Sequence, residues 1–320
     1  MSRSLRAHLL LFSVVAVWGS TFVLVKDALR DISPLLFNLL RMALAFLCLA
    51  IVYRRQWSKI SRAGWKSGAL VGLILAIAYH LQTSGLKLTT PTKSAFITGL
   101  TLVLVPLLAA LPGVRRRGTL APPWNVWLGV LLAFAGVVLM AAPAAARSGA
   151  GGIFVLPDLT SIGTGDLLTL GCAFAFACHI IVQDRVSDKN RGKLAFLSPG
   201  FQSVPFEQLA LLQLGFCTLV MAVSTPLLEK PHLHLTALVV VALAVESVLA
   251  TAVAFTVQSW VQQFLAPTYL VLIYAVEPVF AWLTSLAFLH QGLSIRSGCG
   301  ALLILAGVLA AELIGTRPVT

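Results

Sequence analysis

Gly129-Val-Leu-Leu-Ala-Phe-Ala-Gly-Val137 and Gly300-Ala-Leu-Leu-Ile-Leu-Ala-Gly-Val308 share the pattern G-x-L-L-x-x-A-G-V. Leu, Ala and Gly are common in every apolar helix, so one such match carries little weight. Two further matches fall at nearly the same spacing. Pro106 falls on Pro278, and Leu39-Leu40-Arg41 falls on Leu211-Leu212-Gln213, giving offsets of 171, 172 and 172. The chain reads as containing itself twice.

The composition fixes the solvent. Of 320 residues, 58% are hydrophobic and 11% charged, with a mean hydropathy of +0.93. Soluble domains carry roughly 25% charged residues, so this chain could not cover a water-facing surface. The apolar segments are continuous and about twenty residues long, as membrane-spanning helices require. Barrel strands would alternate over about ten. Spans are predicted near 7–26, 34–53, 67–87, 94–112, 124–142, 165–183, 207–227, 236–258, 267–289 and 294–314. Arg3, Arg6 and the run that follows resemble a signal peptide, but the run from Ala7 to Val25 is long enough to span, so it is read as the first helix.

The formal charge of +12 sits in short basic runs between spans. That is the pattern of membrane topology, not of a basic face for nucleic acid. With the N-terminus inside, the runs Arg54–Lys66, Arg115–Arg117 and Arg185–Lys193 all fall on the inner side. Fifteen Lys and Arg lie there against seven outside, so both termini are expected in the cytoplasm. Cys48, Cys172, Cys178, Cys217 and Cys299 all lie in apolar segments without a CxxC pair; they read as small apolar residues, with no disulfide framework, metal or cofactor expected.

A repeat of five helices is odd, so its two copies must enter the bilayer in opposite orientations. Such inverted repeats can open alternately to either side of a midplane site. Trp18-Gly19-Ser20-Thr21-Phe22, Arg41, Pro106, Glu277-Pro278-Val279 and the paired A-G-V helices together resemble the EamA family of the drug/metabolite transporter superfamily, over residues 10 to 312. The resemblance implies an all-α integral membrane protein with ten transmembrane helices in two inverted five-helix repeats. These are residues 1–142 and 165–314, joined by a loop at 143–164 and followed by a tail at 315–320. It also implies a central cavity and a role in exporting amino acids or related metabolites. Where such proteins often carry Leu-Gly-Glu after the ninth span, this chain has Leu289-His290-Gln291, and no role is assigned there.

Ionisable groups inside a span are costly, roughly 2.5–3.5 kcal/mol at the centre, and therefore mark function. Glu246 is the candidate for proton coupling, against a helix-tying carboxyl. Glu277 precedes a proline that frees a carbonyl one turn earlier, which makes it either a cavity or a hinge residue. Arg41 either meets a substrate carboxylate or pairs with a glutamate. Trp18, Tyr79, Gln82, Thr98, Gln258 and Tyr274 complete the expected cavity lining. His80 and His179 read as polar groups satisfied by neighbouring helices. Trp57, Trp65, Trp124, Trp127 and Trp260 suit an interfacial belt, and Gly68-xxx-Gly72 suits close helix packing.

No G-x-S-x-G, H-E-x-x-H or Walker loop occurs, so no catalytic residue is assigned and transport would be secondary. The expectation is an alternating-access exporter of amino acids or small metabolites in a bacterial plasma membrane, with a small-molecule substrate and the lipid bilayer as partners, no nucleic acid, and a monomeric or homodimeric state. A carrier of nucleotide sugars or other phosphorylated compounds is disfavoured because Arg41 is the sole central cation. An intramembrane enzyme acting on a lipid-linked substrate would need Arg41, Glu246, Glu277 and His80 to converge on a lateral cleft. A purely structural membrane subunit is the third class.

Overall fold

In lipid, each backbone N–H and C=O must be satisfied within its own segment, which turns long apolar runs into helices. The computed structural model describes residues 3–88, 94, 97–111, 114, 122–141, 163–187, 204–277, 279–280, 283–284 and 295–313. Pro91, Pro278, Leu289-His290-Gln291, most of the loop predicted at 143–164 and the tail at 315–320 lie outside these. Among the described residues every regular element is helical and no strand forms beyond one isolated bridge.

The order is α1 (Arg3–Ala28), α2 (Pro34–Val52), a 3₁₀ turn (Arg54–Lys59), α3 (Arg62–Leu88), α4 (Thr101–Ala110), α5 (Trp124–Ala141), α6 (Thr164–Ser187) and α7 (Phe206–Leu228). There follow α8 (Ala237–Ser247), a π-helical stretch (Val248–Val253), α9 (Ala254–Val261), α10 (Pro267–Tyr274) and α11 (Ile295–Leu313). By length and composition α2, α3, α6, α7 and the continuous rod Ala237–Val261 can each cross a bilayer. Leu5–Thr21, Thr101–Ala110, Trp124–Leu139 and Gly298–Ala311 are shorter apolar helices. α4 and α10 are the described parts of the spans predicted near 94–112 and 267–289. α3 starts five residues before its apolar run, because the Ser61 hydroxyl accepts the Gly64 N–H at 3.0 Å and caps the extra turn.

Outward faces are greasy. On α2, Met42, Ala45 and Leu49 are buried while Leu47 and Ile51 are 54% and 72% exposed; on α7 Leu227 is 79% exposed. Such surface is unfavourable in water and neutral against acyl chains.

Helices meet through glycines, as expected where lipid supplies no hydrophobic drive for association. Gly68 and Gly72 of α3 lie against Leu212, the Gln213 carbonyl and Phe216 of α7, and Gly85 lies against Thr169 of α6. The two A-G-V helices pack on each other reciprocally. A Cβ on Gly129 would lie 2.6 Å from the Gly307 carbonyl, and one on Gly136 would lie 2.5 Å from the Gly300 carbonyl. By sequence Gly129 corresponds to Gly300 and Gly136 to Gly307, so each glycine meets the counterpart of the other. The Asn125 side chain adds a hydrogen bond to the Ala311 carbonyl at 2.8 Å.

At one end of the bundle the α1–α2 turn is latched to the α7–α8 connection. Ile32 bridges Leu233, Ser33 N–H donates to the His232 carbonyl (3.0 Å), and His234 N–H donates to the Asp31 carbonyl (2.7 Å). The Glu229 carboxylate accepts the Leu35 N–H at 2.8 Å and sits 3.9 Å from Lys87. Thr236 caps α8 by accepting the Val239 N–H and donates to Asp31 at 3.0 Å. At the other end Gln208 at the start of α7 reaches the Gln56 side chain and the Lys59 carbonyl. Thr236→Ala removes a helix cap and a latch bond together. It is expected to cost about 1 kcal/mol, read as a lowered Tm in detergent, whereas Thr236→Ser should stay near wild type.

Candidate functional site

Deep in the bundle α2, α3, α8 and the π-helical stretch converge on one guanidinium. Arg41 is 8% exposed and Glu246 2% exposed, and Arg41 Nη1 lies 3.0 Å from Glu246 Oε2. Nε donates to the Thr251 hydroxyl at 2.6 Å; Nη2 donates to the Tyr79 hydroxyl at 3.2 Å and to the Ala250 carbonyl at 3.4 Å. The guanidinium also lies over the Tyr79 ring, 5.0 Å from its centroid.

Backbone irregularity makes this possible. An α-helix would pair each interior carbonyl four residues on. The π-helical widening at Val248–Val253 changes that register and leaves the Ala250 carbonyl facing the chamber, where it also accepts the Trp18 indole N–H at 2.7 Å. A second irregularity lies opposite: α10 ends at Tyr274, residues 275–276 form a turn, and Glu277 resumes the helix. Glu277 is close enough to interact electrostatically with Glu246, Tyr79 and Tyr274. The Trp18 and Tyr274 rings meet edge to face at 5.1 Å, and Phe255 packs beside Trp18 and Tyr79.

From Tyr274 a chain of buried amides continues along α9. The Tyr274 hydroxyl donates to Gln258 (3.0 Å), Gln258 to Gln183 of α6 (3.1 Å), and Gln183 to Ser259 (2.9 Å). Gln213 of α7 donates to the same Ser259 (3.1 Å), and its carbonyl oxygen meets His179 at 3.0 Å. Gln262 donates to the Ile180 carbonyl at 2.9 Å. In the other direction along α3, Asn38 bonds Thr83. Thr83 lines a cavity of about 220 Å³ together with Leu29, Pro34, Leu86, Lys87 and His232, directly under the latch. Four residues of helix separate Tyr79 from Thr83, or about 6 Å.

Of the expected site residues, Trp18, Arg41, Tyr79, Glu246, Tyr274 and Glu277 come together, and Gln258 joins through Tyr274. Gln82 and Thr98 do not. Gln82 is half-buried on α3 with no hydrogen bond among the described residues, and the Thr98 carbonyl accepts the Thr101 hydroxyl near α6. His179 meets Gln213 on a neighbouring helix, while His80 meets Ser224 of α7 through Nε2 only and its buried Nδ1 has no partner among the described residues. Thr251, Gln183, Gln213, Ser259 and the Ala250 carbonyl escaped the sequence reading. The criterion that selected Gln258, an amide within an apolar span, would also have found Gln183 and Gln213. Among the described residues no three His, Cys, Asp or Glu gather to hold a metal ion.

A sequence profile described as the EamA-like transporter family matches residues 5–142 and 163–312. The chain is 30% identical over 315 residues to an uncharacterized transporter of Archaeoglobus fulgidus, covering 97% of this chain and 87% of that protein. A second uncharacterized transporter of the same organism is 29% identical over 138 residues, 42% of this chain and 45% of its own. A solved protein structure superposes with a TM-score of 0.71 at 22% identity, covering 98% of both chains, which is a likeness of fold.

Proposed function

This chain belongs to the EamA-like transporter family, and from that premise we propose that it is a secondary exporter of amino acids or related small metabolites working by alternating access. It is a membrane transporter; the substrate class, direction and mechanism are our reading. In that reading ten spans form two inverted repeats and the polar chamber lies between them. The observation that carries it is that Arg41, from the first repeat, meets Glu246, from the second, at 3.0 Å. Trp18 bridges to the Ala250 carbonyl across the same seam. Transporters of inverted-repeat design place their sites at interrupted helices near the midplane, and the π-helical stretch and the break after Tyr274 border the chamber. The reciprocal glycine contacts of α5 and α11 are those that a local two-fold axis requires. The latch at the α1–α2 turn serves as the outer gate, with the Gln56–Gln208 contact as its counterpart toward the cytoplasm.

The enzyme alternative needs His80 beside the carboxyls, but His80 faces Ser224. A phosphorylated cargo needs vacant cations, and Arg41 is occupied. We place the protein in a bacterial plasma membrane with both termini cytoplasmic. The test is counterflow: proteoliposomes preloaded with an unlabelled metabolite from an amino-acid panel should accumulate its labelled form. No counterflow with any panel member sinks the reading. Accessibility tags near residues 60 and 230 should label from opposite sides; labelling from one side removes the inverted arrangement.

A further inference from the structure

The connection between α2 and α3 carries five cations and no acid. Arg54, Arg55 and Lys59 lie on the 3₁₀ turn, Arg62 and Lys66 on the first turns of α3, and all are exposed. None of the five makes an ion pair or a side-chain hydrogen bond among the described residues. No acidic residue occurs between Asp31 and Asp158, and Glu207, at the facing end of α7, pairs with none of them. The surface is fixed in place. Gln208 of α7 donates to the Gln56 side chain at 3.4 Å and to the Lys59 carbonyl at 3.5 Å, which ties the turn to α7. Four rings cross it in order: Phe46 of α2 lies 6.2 Å from Trp57, Trp57 6.3 Å from Trp65, and Trp65 5.9 Å from Phe216 of α7. Trp57 and Trp65 are 38% and 43% exposed; Ile51 and Val52, just before the cations, are 72% and 63% exposed. An apolar edge thus gives way to indoles and then to cations, the order in which a bilayer presents acyl chains, interface and headgroups.

We propose that this shelf binds an anionic phospholipid, with the headgroup phosphate on the cations and the acyl chains along the exposed edge of α2. Clusters of roughly four to eight Lys and Arg just outside a span attract anionic headgroups. The rings add what charge alone lacks, because indoles settle at headgroup level and hold the cations at the depth of the phosphates. A soluble anion would use the cations and leave the apolar edge idle; a lipid uses both. On the topology read above, the lipid belongs to the cytoplasmic leaflet, whose surface is negative. No residue of the Arg41 chamber takes part.

The test uses the purified full-length chain in nanodiscs of phosphatidylcholine doped with a minor share of phosphatidylglycerol brominated on its acyl chains, or with identically brominated phosphatidylcholine. Bromine quenches the tryptophans that its lipid touches. The signal of Trp57 and Trp65 is the part lost in the double variant Trp57→Phe, Trp65→Phe, which keeps the ring packing. That part should be quenched several-fold more by the phosphatidylglycerol, and the preference should shrink at high salt through screening. Arg54→Gln, Arg55→Gln and Arg62→Gln together should remove most of the preference. Arg54→Lys, Arg55→Lys and Arg62→Lys together should keep it, which guards against loss through misfolding. Arg30→Gln, which removes a surface partner of Asp27, should leave it unchanged. Equal quenching by the two lipids, a preference undiminished in the glutamine variant, or its loss in the lysine variant as well overturns the proposal. Both faces of a disc carry the same lipid and no cargo is present. Failure here therefore leaves the carrier reading standing, and failed counterflow leaves lipid binding standing.

Discussion

Arg41→Ala is expected to lower Tm in detergent more than any other single side-chain truncation in the chamber, and to abolish counterflow. Removing one member of a buried ion pair costs about 3–5 kcal/mol, because the charge left behind has no solvent. Here the substitution also strips donors from the Thr251 hydroxyl, the Tyr79 hydroxyl and the Ala250 carbonyl. Glu246→Ala should be similarly damaging, since it strands the guanidinium. The double variant Arg41→Met, Glu246→Met should recover much of the lost Tm, because no charge then remains unpaired, yet it should stay inactive in counterflow. A full-strength Tm in Arg41→Ala would mean that the pair contributes nothing to the fold. Active transport in the double variant would mean that it contributes nothing to function.

The second large effect lies at the crossing of α5 and α11. A Cβ on Gly307 would sit 2.5 Å from the Gly129 carbonyl and 2.8 Å from the Ala133 nitrogen. Both are backbone atoms, which cannot move aside as a side-chain tip can. Overpacking generally costs 1–3 kcal/mol; with leucine at Gly307 the helices must separate, and the expected result is loss of monodisperse protein in size-exclusion chromatography. Gly307→Ala should fold with a lowered Tm. Gly298, one helix turn from Ile295 on the same helix, has nothing within 4 Å of a Cβ, so Gly298→Ala should be neutral. Equal behaviour of the two alanine variants would show that the crossing is not a tight contact.

The helices were legible because lipid imposes one rule on every segment: α2, predicted at 34–53, spans Pro34–Val52. Residues too costly to bury without purpose were legible for the same reason, and Arg41, Glu246 and Glu277 do gather. Gln82 and Thr98 could not be placed from sequence, because polarity within a span does not say which way a side chain faces; one turn along α3, Tyr79 reaches the chamber and Gln82 does not. The π-helical stretch at Val248–Val253 left no trace in its sequence, Val-Leu-Ala-Thr-Ala-Val, because the register is set by what Trp18 and Arg41 ask of the Ala250 carbonyl. The amide chain through Gln183, Ser259 and Gln213 was hidden in part because hydrogen-bond partners lie 34 to 76 residues apart in sequence.

On the proposed reading of two repeats, the division of charge across the seam is unequal. The first half contributes Arg41 to the chamber and the second half contributes Glu246 and Glu277. At the position matching Arg41 the second half has Gln213, satisfied by His179 and Ser259. A tandem of two first halves would bury two arginines with no acid between them, and a tandem of two second halves would bury four carboxyls with no base. On that reading the halves are complementary, and a fusion of either half with its own copy is expected to leave the chamber's charges unpaired.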